Sequence, residues 1–233
     1  MIKLYENNSY LREFNSKIIR IDRENKLIEL EESAFYGKGG GQPGDTGSII
    51  TELKTIEVKE TFKEKNLLLH QVNTIDGLKI GHKVKGNIDW KRRYKYMKMH
   101  TALHLLCAII PLGVTGGQIG EEKSRLDFNA DTNSINKEDS QRKLDEILKN
   151  NHKISYNWIE NEELEKKTDL IRTMSVKPPK TNGKIRLVKI GNIDLQPCGG
   201  THVNETSEIG SIIITKIENK GKMNRRINIS LSD

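Results

Sequence analysis

Two pairs of metal-binding side chains, far apart in the sequence, constrain the fold of this chain most strongly. His100 and His104 are spaced i, i+4 within a run of helix-forming residues, so both side chains lie on one face of the predicted helix. Cys198 and His202 have the same spacing, but the two glycines between them favour a tight loop. If both pairs bind one ion, the fold must bring together segments with 93 residues between them.

The donor atoms of these two pairs predict the identity of the metal. Three imidazole nitrogens and one thiolate suit zinc better than the hard cations, which prefer oxygen ligands. A purely structural zinc is the alternative, but such sites are often rich in thiolates and commonly have CxxC spacing. The single thiolate and the long separation favour a functional site. We therefore expect one Zn²⁺ ion bound by His100, His104, Cys198 and His202.

Residues 1–88 have the pattern of a small β-barrel domain. Lys17–Ile21 and Lys26–Leu30 are short runs rich in β-branched and apolar residues, and the polar segment between them predicts a hairpin. A glycine-dense loop at Gly37–Gly47 follows, without the Gly-Lys-Ser/Thr ending of a phosphate-binding loop. Further strand-like runs separated by turn signals are typical of a barrel. These runs lie at 48–53, 55–59 and 66–72.

Residues 89–233 predict a second domain of mixed helices and strands. The composition of 92–110 favours a helix that ends at Pro111, and 138–151 is amphipathic. A third helix, short and polar, is predicted at 158–167. Pro178-Pro179 and Asn182-Gly183 break the chain before three strand-like runs at 184–190, 210–217 and 226–231. The fold class expected for the whole chain is therefore α+β, with an antiparallel sheet and helices in the second domain.

The composition limits the cellular compartment and the kinds of partner that we expect for this chain. No apolar run approaches the roughly 18 residues that span a membrane, and the first 14 residues lack the apolar core of a signal peptide. Two cysteines in 233 residues do not suggest a disulfide scaffold. We expect a cytoplasmic protein without a membrane partner, and we favour a monomer. The formal net charge of +7 permits a nucleic-acid partner but does not require one.

Several motifs, taken in order, resemble a known family. HTALHLL at 100–106 and CGGTHVNETSEIG at 198–210 are similar to the editing domain of alanyl-tRNA synthetase, and still more to the free-standing AlaX proteins. FYGKGGGQPGDTG at 35–47 resembles the glycine-rich motif that precedes this domain in the longer AlaX class. GGQIGEEKSRLDF at 116–128 and ENKGKMNRRINISL at 218–231 also fit, so the resemblance spans nearly the whole chain.

The resemblance implies an N-terminal β-barrel, an α+β editing domain and trans-editing activity. The expected reaction is hydrolysis of mischarged Ser-tRNA(Ala), with Gly-tRNA(Ala) as a further candidate substrate. The family's zinc ligands fall on the two pairs described above. In the synthetase pattern an acidic residue often stands two positions before the cysteine. Here that position is Gln196, and Asp194 lies four before the cysteine.

Two further groups of residues are candidates, one for recognition and hydrolysis of the amino acid and one for contacts with the RNA phosphates. A pocket that admits serine cannot exclude the smaller alanine by size, so the site must reward the serine hydroxyl with a polar partner. Candidates for that partner are Gln42, Thr101 and Thr201, and Asp194 is a candidate active-site carboxylate. Phosphate contacts are expected from basic side chains, namely Lys91, Arg92, Arg93, Lys220, Lys222, Arg225 and Arg226.

The sequence leaves two alternatives for the function and two for the metal. The same chemistry on another mischarged tRNA, such as Ser-tRNA(Thr), is one functional alternative, and a non-catalytic RNA-binding module stabilised by zinc is the other. The metal either activates water or positions the substrate. Four protein ligands leave this second choice open.

Overall fold

The computed structural model describes residues 1–167, 170–174, 180–181 and 183–232 of the chain. They form two compact units, Met1–Tyr94 and Lys95–Asp233. Sheets and helices are both present, so the prediction of an α+β fold is confirmed. The predicted domain boundary at 88/89 stays a prediction. The predicted chain breaks at Pro178-Pro179 and Asn182 lie outside the described residues.

The first unit contains a closed barrel of six antiparallel strands, in the order β2-β3-β7-β6-β5-β8. The predicted hairpin is confirmed, because β2 pairs with β3 and places Ile18 opposite Leu30. Alternate residues of β2 face the interior, where Phe14 and Ile18 are buried. A two-stranded parallel pair, β1-β4, accompanies the barrel. The strands are β1 Ile2–Lys3, β2 Glu13–Asp22, β3 Leu27–Leu30, β4 Glu32–Ser33, β5 Gly47–Ile50, β6 Thr55–Glu64, β7 Leu67–Val72 and β8 Lys83–Ile88.

The glycine-dense loop of this unit folds as a tight turn whose geometry requires its glycines. Gly39 and Gln42 exchange both backbone hydrogen bonds, each at 3.0 Å. Gly40 and Gly41 between them have φ values of +57° and +79°. Positive φ at both central positions defines a type I′ turn, which residues with a Cβ adopt only with strain. The run of glycines therefore has a backbone explanation that involves no phosphate.

The second unit contains two four-stranded antiparallel sheets, most of one long helix and two further helices. One sheet has the order β15-β16-β10-β9. In the other, β13 pairs with β11 along its whole length, and with β12 and β14 at its other edge. The unit boundary falls within the first long helix, α1. The elements are α1 Trp90–Ile109, β9 Val114–Gln118, β10 Lys123–Phe128, α2 Lys137–Lys149, β11 Ile154–Glu160, α3 Asn161–Lys166, β12 Lys180–Thr181, β13 Lys184–Ile190, β14 Asp194–Pro197, β15 Ser211–Gly221 and β16 Asn224–Ser232.

The third predicted helix is partly wrong. Trp158–Glu160 belong to strand β11, and the helix begins only at Asn161. The polar composition of 158–167 suggested one helix, but the register pairs Trp158 with Arg186 and so extends the sheet to Glu160. Aromatic and β-branched side chains favour this pairing, and local composition did not reveal it.

A membrane-spanning helix requires a long apolar segment. Within the described part of the chain, no helix has the length and hydropathy that crossing a bilayer would require.

Candidate metal centre

The four predicted ligands lie together in the second unit. His100 and His104 occupy successive turns of α1, while Cys198 and His202 follow β14 in a loop. One donor atom from each residue lies within 4.8 Å of the other three. The three histidines are buried and Cys198 is partly exposed. This cluster could hold one metal ion.

Distances within the cluster fit a shared tetrahedral ion. The Cys198 sulfur lies 3.4 Å from Nε2 of His100 and 3.4 Å from Nε2 of His202. A sulfur and a nitrogen bound to one tetrahedral zinc at its usual bond lengths stand about 3.6 Å apart. Three nitrogens and one sulfur also match the ligand preference of zinc. The residues present therefore fit a zinc ion.

Outer hydrogen bonds orient two of the three imidazoles. His104 donates from Nδ1 to the Asp194 carboxylate at 2.9 Å. The Thr101 hydroxyl donates to the carbonyl of Met97, so its oxygen accepts from Nδ1 of His202 at 3.1 Å. With Nδ1 protonated in both rings, the Nε2 lone pairs remain for a metal. Such outer partners fix the tautomer and the ring orientation of metal-binding histidines.

Asp194 lies behind the cluster rather than in it. Its carboxylate also accepts from the Gln196 amide at 2.8 Å. Its Oδ1 atom is buried, and no described residue forms a hydrogen bond with it. Asp194 and Gln196 are both buried and share one face of β14, a pattern that marks them as a buried polar pair. The sequence reasoning gave Gln196 no role, although this i, i+2 pattern could have indicated one.

Burial and neighbouring charges shift the pKa values of Cys198, His104 and His202. Burial opposes ionisation of Cys198, but the surrounding histidines lower its pKa well below the usual value. Burial would lower the pKa of His104, but Cys198 and Asp194 together raise it to about 10. Burial and the nearby His100 lower the pKa of His202 far below its usual value. The cluster thus favours a thiolate that can bind metal.

The second cysteine is not part of this arrangement. Cys107 is buried, and burial followed by the Asp194 carboxylate raises its pKa to about 12. It therefore stays a neutral thiol at ordinary pH.

The other candidates for recognition are buried. Thr101 and Thr201 are fully buried in the second unit. Gln42 is buried in the first unit, where its backbone closes the type I′ turn.

Two of the seven predicted phosphate contacts are corrected by the structure. Arg93 is fully buried, and its guanidinium pairs with Asp45 and donates to the carbonyls of Ser9 and Ala34. Arg225 is 2% exposed and donates to backbone carbonyls of its own turn. Because both side chains are buried, neither can reach a phosphate in this structure. The prediction failed because a basic run in the sequence does not reveal which side chains point inward.

The remaining basic candidates are at least partly accessible. Lys91, Lys220 and Lys222 are exposed. Arg92 donates to the carbonyl of Gly44 at 2.7 Å, and Arg226 pairs with Asp127 at 2.8 Å.

Comparison with known proteins gives this site a family context. Residues 185–228, which include Cys198 and His202, match the family described as threonyl and alanyl tRNA synthetase second additional domain. Residues 6–92 match the family described as tRNA synthetases class II (A). Two segments of the chain are therefore similar to tRNA synthetase domains, each over less than half of its length.

Similar proteins identify the family more closely. The chain is 36% identical to alanyl-tRNA editing protein AlaX-M of Methanosarcina mazei, covering 99% of this chain and 96% of that protein. It is 35% identical to AlaX-M of Saccharolobus solfataricus, covering 97% and 96%. It is also 35% identical to AlaX-L of Pyrococcus horikoshii, covering 94% of this chain and 55% of that protein. The chain belongs to the AlaX family of alanyl-tRNA editing proteins.

Proposed function

We propose that this protein is a trans-editing hydrolase that deacylates Ser-tRNA(Ala), with Gly-tRNA(Ala) as a second candidate substrate. The observation that carries the proposal is the convergence of two histidines of α1 with Cys198 and His202 in a member of this family. The reaction is ester hydrolysis: water adds to the carbonyl carbon and the bond to the ribose oxygen breaks. Free amino acid and uncharged tRNA are the products.

His100, His104, Cys198 and His202 would hold one Zn²⁺ ion. When bound, zinc would supply Lewis acidity, which polarises a carbonyl or lowers the pKa of a bound water towards neutrality. Asp194 and Thr101 keep a proton on Nδ1 of their imidazoles, so these rings present Nε2 to the ion. The Gly200 amide donates to the Cys198 sulfur at 3.3 Å and stabilises the thiolate.

Selection of serine over alanine needs a polar group that is left unpaired when alanine binds. Such a group can discriminate by up to about 10⁴-fold, because a buried unpaired donor or acceptor is costly. The Thr101 hydroxyl already donates to the Met97 carbonyl, and its oxygen accepts from His202 and the Val203 amide, so we assign it to orientation of His202. Gln42 and Thr201 remain our candidates for recognition of the hydroxyl.

We propose that tRNA binds through exposed basic side chains and that the β-barrel, residues 1–88, forms a separate N-terminal domain. We also propose that the protein acts as a monomer in the cytoplasm, where aminoacyl-tRNA is used. The candidates for phosphate contact are Lys91, Arg92, Lys220, Lys222 and Arg226.

Deacylation assays test the proposal directly. Ser-, Gly- and Ala-tRNA(Ala) and Ser-tRNA(Thr) are incubated with the protein, with and without a chelator, alongside His100→Ala. We expect rapid loss of serine from tRNA(Ala), retention of alanine, and inhibition by chelator and by the substitution. Preferential hydrolysis of Ser-tRNA(Thr) would reassign the substrate. If no substrate is hydrolysed and His100→Ala only destabilises the fold, the protein is a zinc-stabilised RNA-binding module instead.

A further inference from the structure

Arg186 lies in the middle of β13 and contacts the loop that carries two of the proposed zinc ligands. It is 2% exposed. Its Nη1 atom donates to the carbonyl of Gly200 at 2.7 Å and to that of Cys198 at 3.3 Å. Its own carbonyl accepts from the Cys198 amide at 3.1 Å. A single residue therefore holds both the amide and the carbonyl of Cys198.

The charge of Arg186 is unusual for so buried a position. Its guanidinium lies 4.0 Å from the centre of the Tyr156 ring, which provides a cation–π contact. Its Nε and Nη2 atoms are buried and have no hydrogen-bond partner within the described ranges of the chain. Among the residues that the structure describes, no carboxylate forms an ion pair with it. Burying a cation in this way is costly, so the loop contacts are its main compensation.

The loop contacts determine where the thiolate lies. With the carbonyls of Cys198 and Gly200 turned towards Arg186, the Gly200 amide points to the Cys198 sulfur at 3.3 Å. This sulfur lies 3.4 Å from both His100 and His202. The two glycines of the loop have little conformational preference of their own, so an outside group must fix its shape.

We infer that Arg186 is a positioning residue that holds the Cys198–Gly200 turn in the shape that brings Cys198 and His202 onto the histidines of α1. The inference rests on the metal centre of the proposed function. A guanidinium suits this task because its rigid planar group donates to two carbonyls from one nitrogen, whereas the lysine ammonium lies on a flexible stem.

The test compares Arg186→Met with Arg225→Met. Arg225 is a matched control because it lies in the same unit, is also 2% exposed, and donates from Nη1 to two backbone carbonyls, those of Gly221 and Asn224. Zinc affinity is measured by competition with a chelator. The absorption spectrum of the Co²⁺-loaded protein reports the ligand geometry, and thermal unfolding of the metal-free protein reports stability.

We expect Arg186→Met to lower zinc affinity at least tenfold and to alter the Co²⁺ spectrum. Arg225→Met should destabilise the fold but keep zinc affinity within twofold of wild type. Equal affinity losses in both variants, or no loss in Arg186→Met, would overturn the inference. If Arg186→Met does not fold, Arg186→Lys decides: a threefold or greater loss supports the inference, and a smaller loss overturns it.

The same experiment separates this inference from the proposed function. A wild-type protein that binds no zinc overturns both. Wild-type zinc binding without deacylation overturns the proposed hydrolysis and leaves the role of Arg186 to the affinity comparison.

Discussion

Replacing Asp194 changes the support of one proposed zinc ligand without removing any ligand. The Asp194 carboxylate accepts from Nδ1 of His104 at 2.9 Å, and the two side chains are only 1% and 7% exposed. Asp194→Ala removes this acceptor, whereas Asp194→Asn keeps an amide oxygen that can accept the same proton without the negative charge. The pair of variants separates the hydrogen bond from its charge.

The expected magnitude follows from the burial of this contact. Loss of an outer partner of a metal-binding histidine typically lowers metal affinity 10- to 100-fold, which corresponds to about 1.4–2.7 kcal/mol. Asp194→Ala should lie near the upper end, because it also leaves the Gln196 amide without its acceptor. Asp194→Asn should lie near the lower end, because the ring keeps a hydrogen-bond partner.

Chelator competition at neutral pH measures both affinities. Asp127→Asn is the control, since this carboxylate lies in the same unit but pairs with Arg125 and Arg226 rather than with a proposed ligand. Its zinc affinity should stay within about twofold of wild type. If both Asp194 variants also bind zinc within twofold of wild type, helix α1 alone orients His104 and the assigned role of Asp194 is wrong.

Three further predictions concern stability and RNA binding. Burial lowers the pKa of His70 from 6.5 to about 4, so the unfolded state binds more protons between these values. This residue's contribution to the free energy of unfolding, about 3 kcal/mol, should be complete above pH 6.5 and lost by pH 4. Urea unfolding across this range should show a shallower decline in His70→Gln, and equal slopes would contradict the assignment. Asp45→Asn leaves the buried Arg93 without its counter-charge and should cost about 3–5 kcal/mol in urea unfolding. A loss below about 1 kcal/mol would exclude a tight pair. Lys222→Ala should weaken tRNA binding and reduce the slope of log affinity against log salt by about one. The exposed Lys149→Ala on α2 is the matched control, and an equal change in both variants would make the effect nonspecific.

The sequence predicted the features that depend on local interactions and missed those that depend on contacts between distant residues. The i, i+4 spacing of His100 and His104 is a local property of helix geometry, so the sequence was enough to place both on one face. The hairpin β2–β3 is equally local. The contact between His104 and Asp194 joins residues 90 positions apart and depends on where β14 pairs with β13. No local pattern encodes that register.

The buried arginines also show that local sequence does not readily reveal which charged residues are buried. Arg93 stands in a basic segment that composition assigned to the surface, but it is fully buried. Arg186 lies in a strand whose neighbours Ile185, Leu187 and Val188 are also buried. A charged residue inside such an apolar run indicates that it is buried with a partner. The sequence KIRLVKI therefore already indicated a buried role for Arg186.

The solvent exposure of the residues around the candidate metal centre shows which side of it a substrate could reach. Counted as whole residues, His100, His104 and His202 are 7%, 5% and 0% exposed, so protein covers the centre on the side of its imidazoles. Pro197, Cys198 and Gly199 are partly exposed. Under the proposed function, we expect an ester at the end of a tRNA to approach the centre from the side of this partly exposed loop. A hydrolase needs an accessible side at its metal centre, and the partial exposure of Cys198 is compatible with one. Under the proposed function, the loop would both hold the metal and form the approach, so a buried cation that fixes its shape would matter more here than at an ordinary turn.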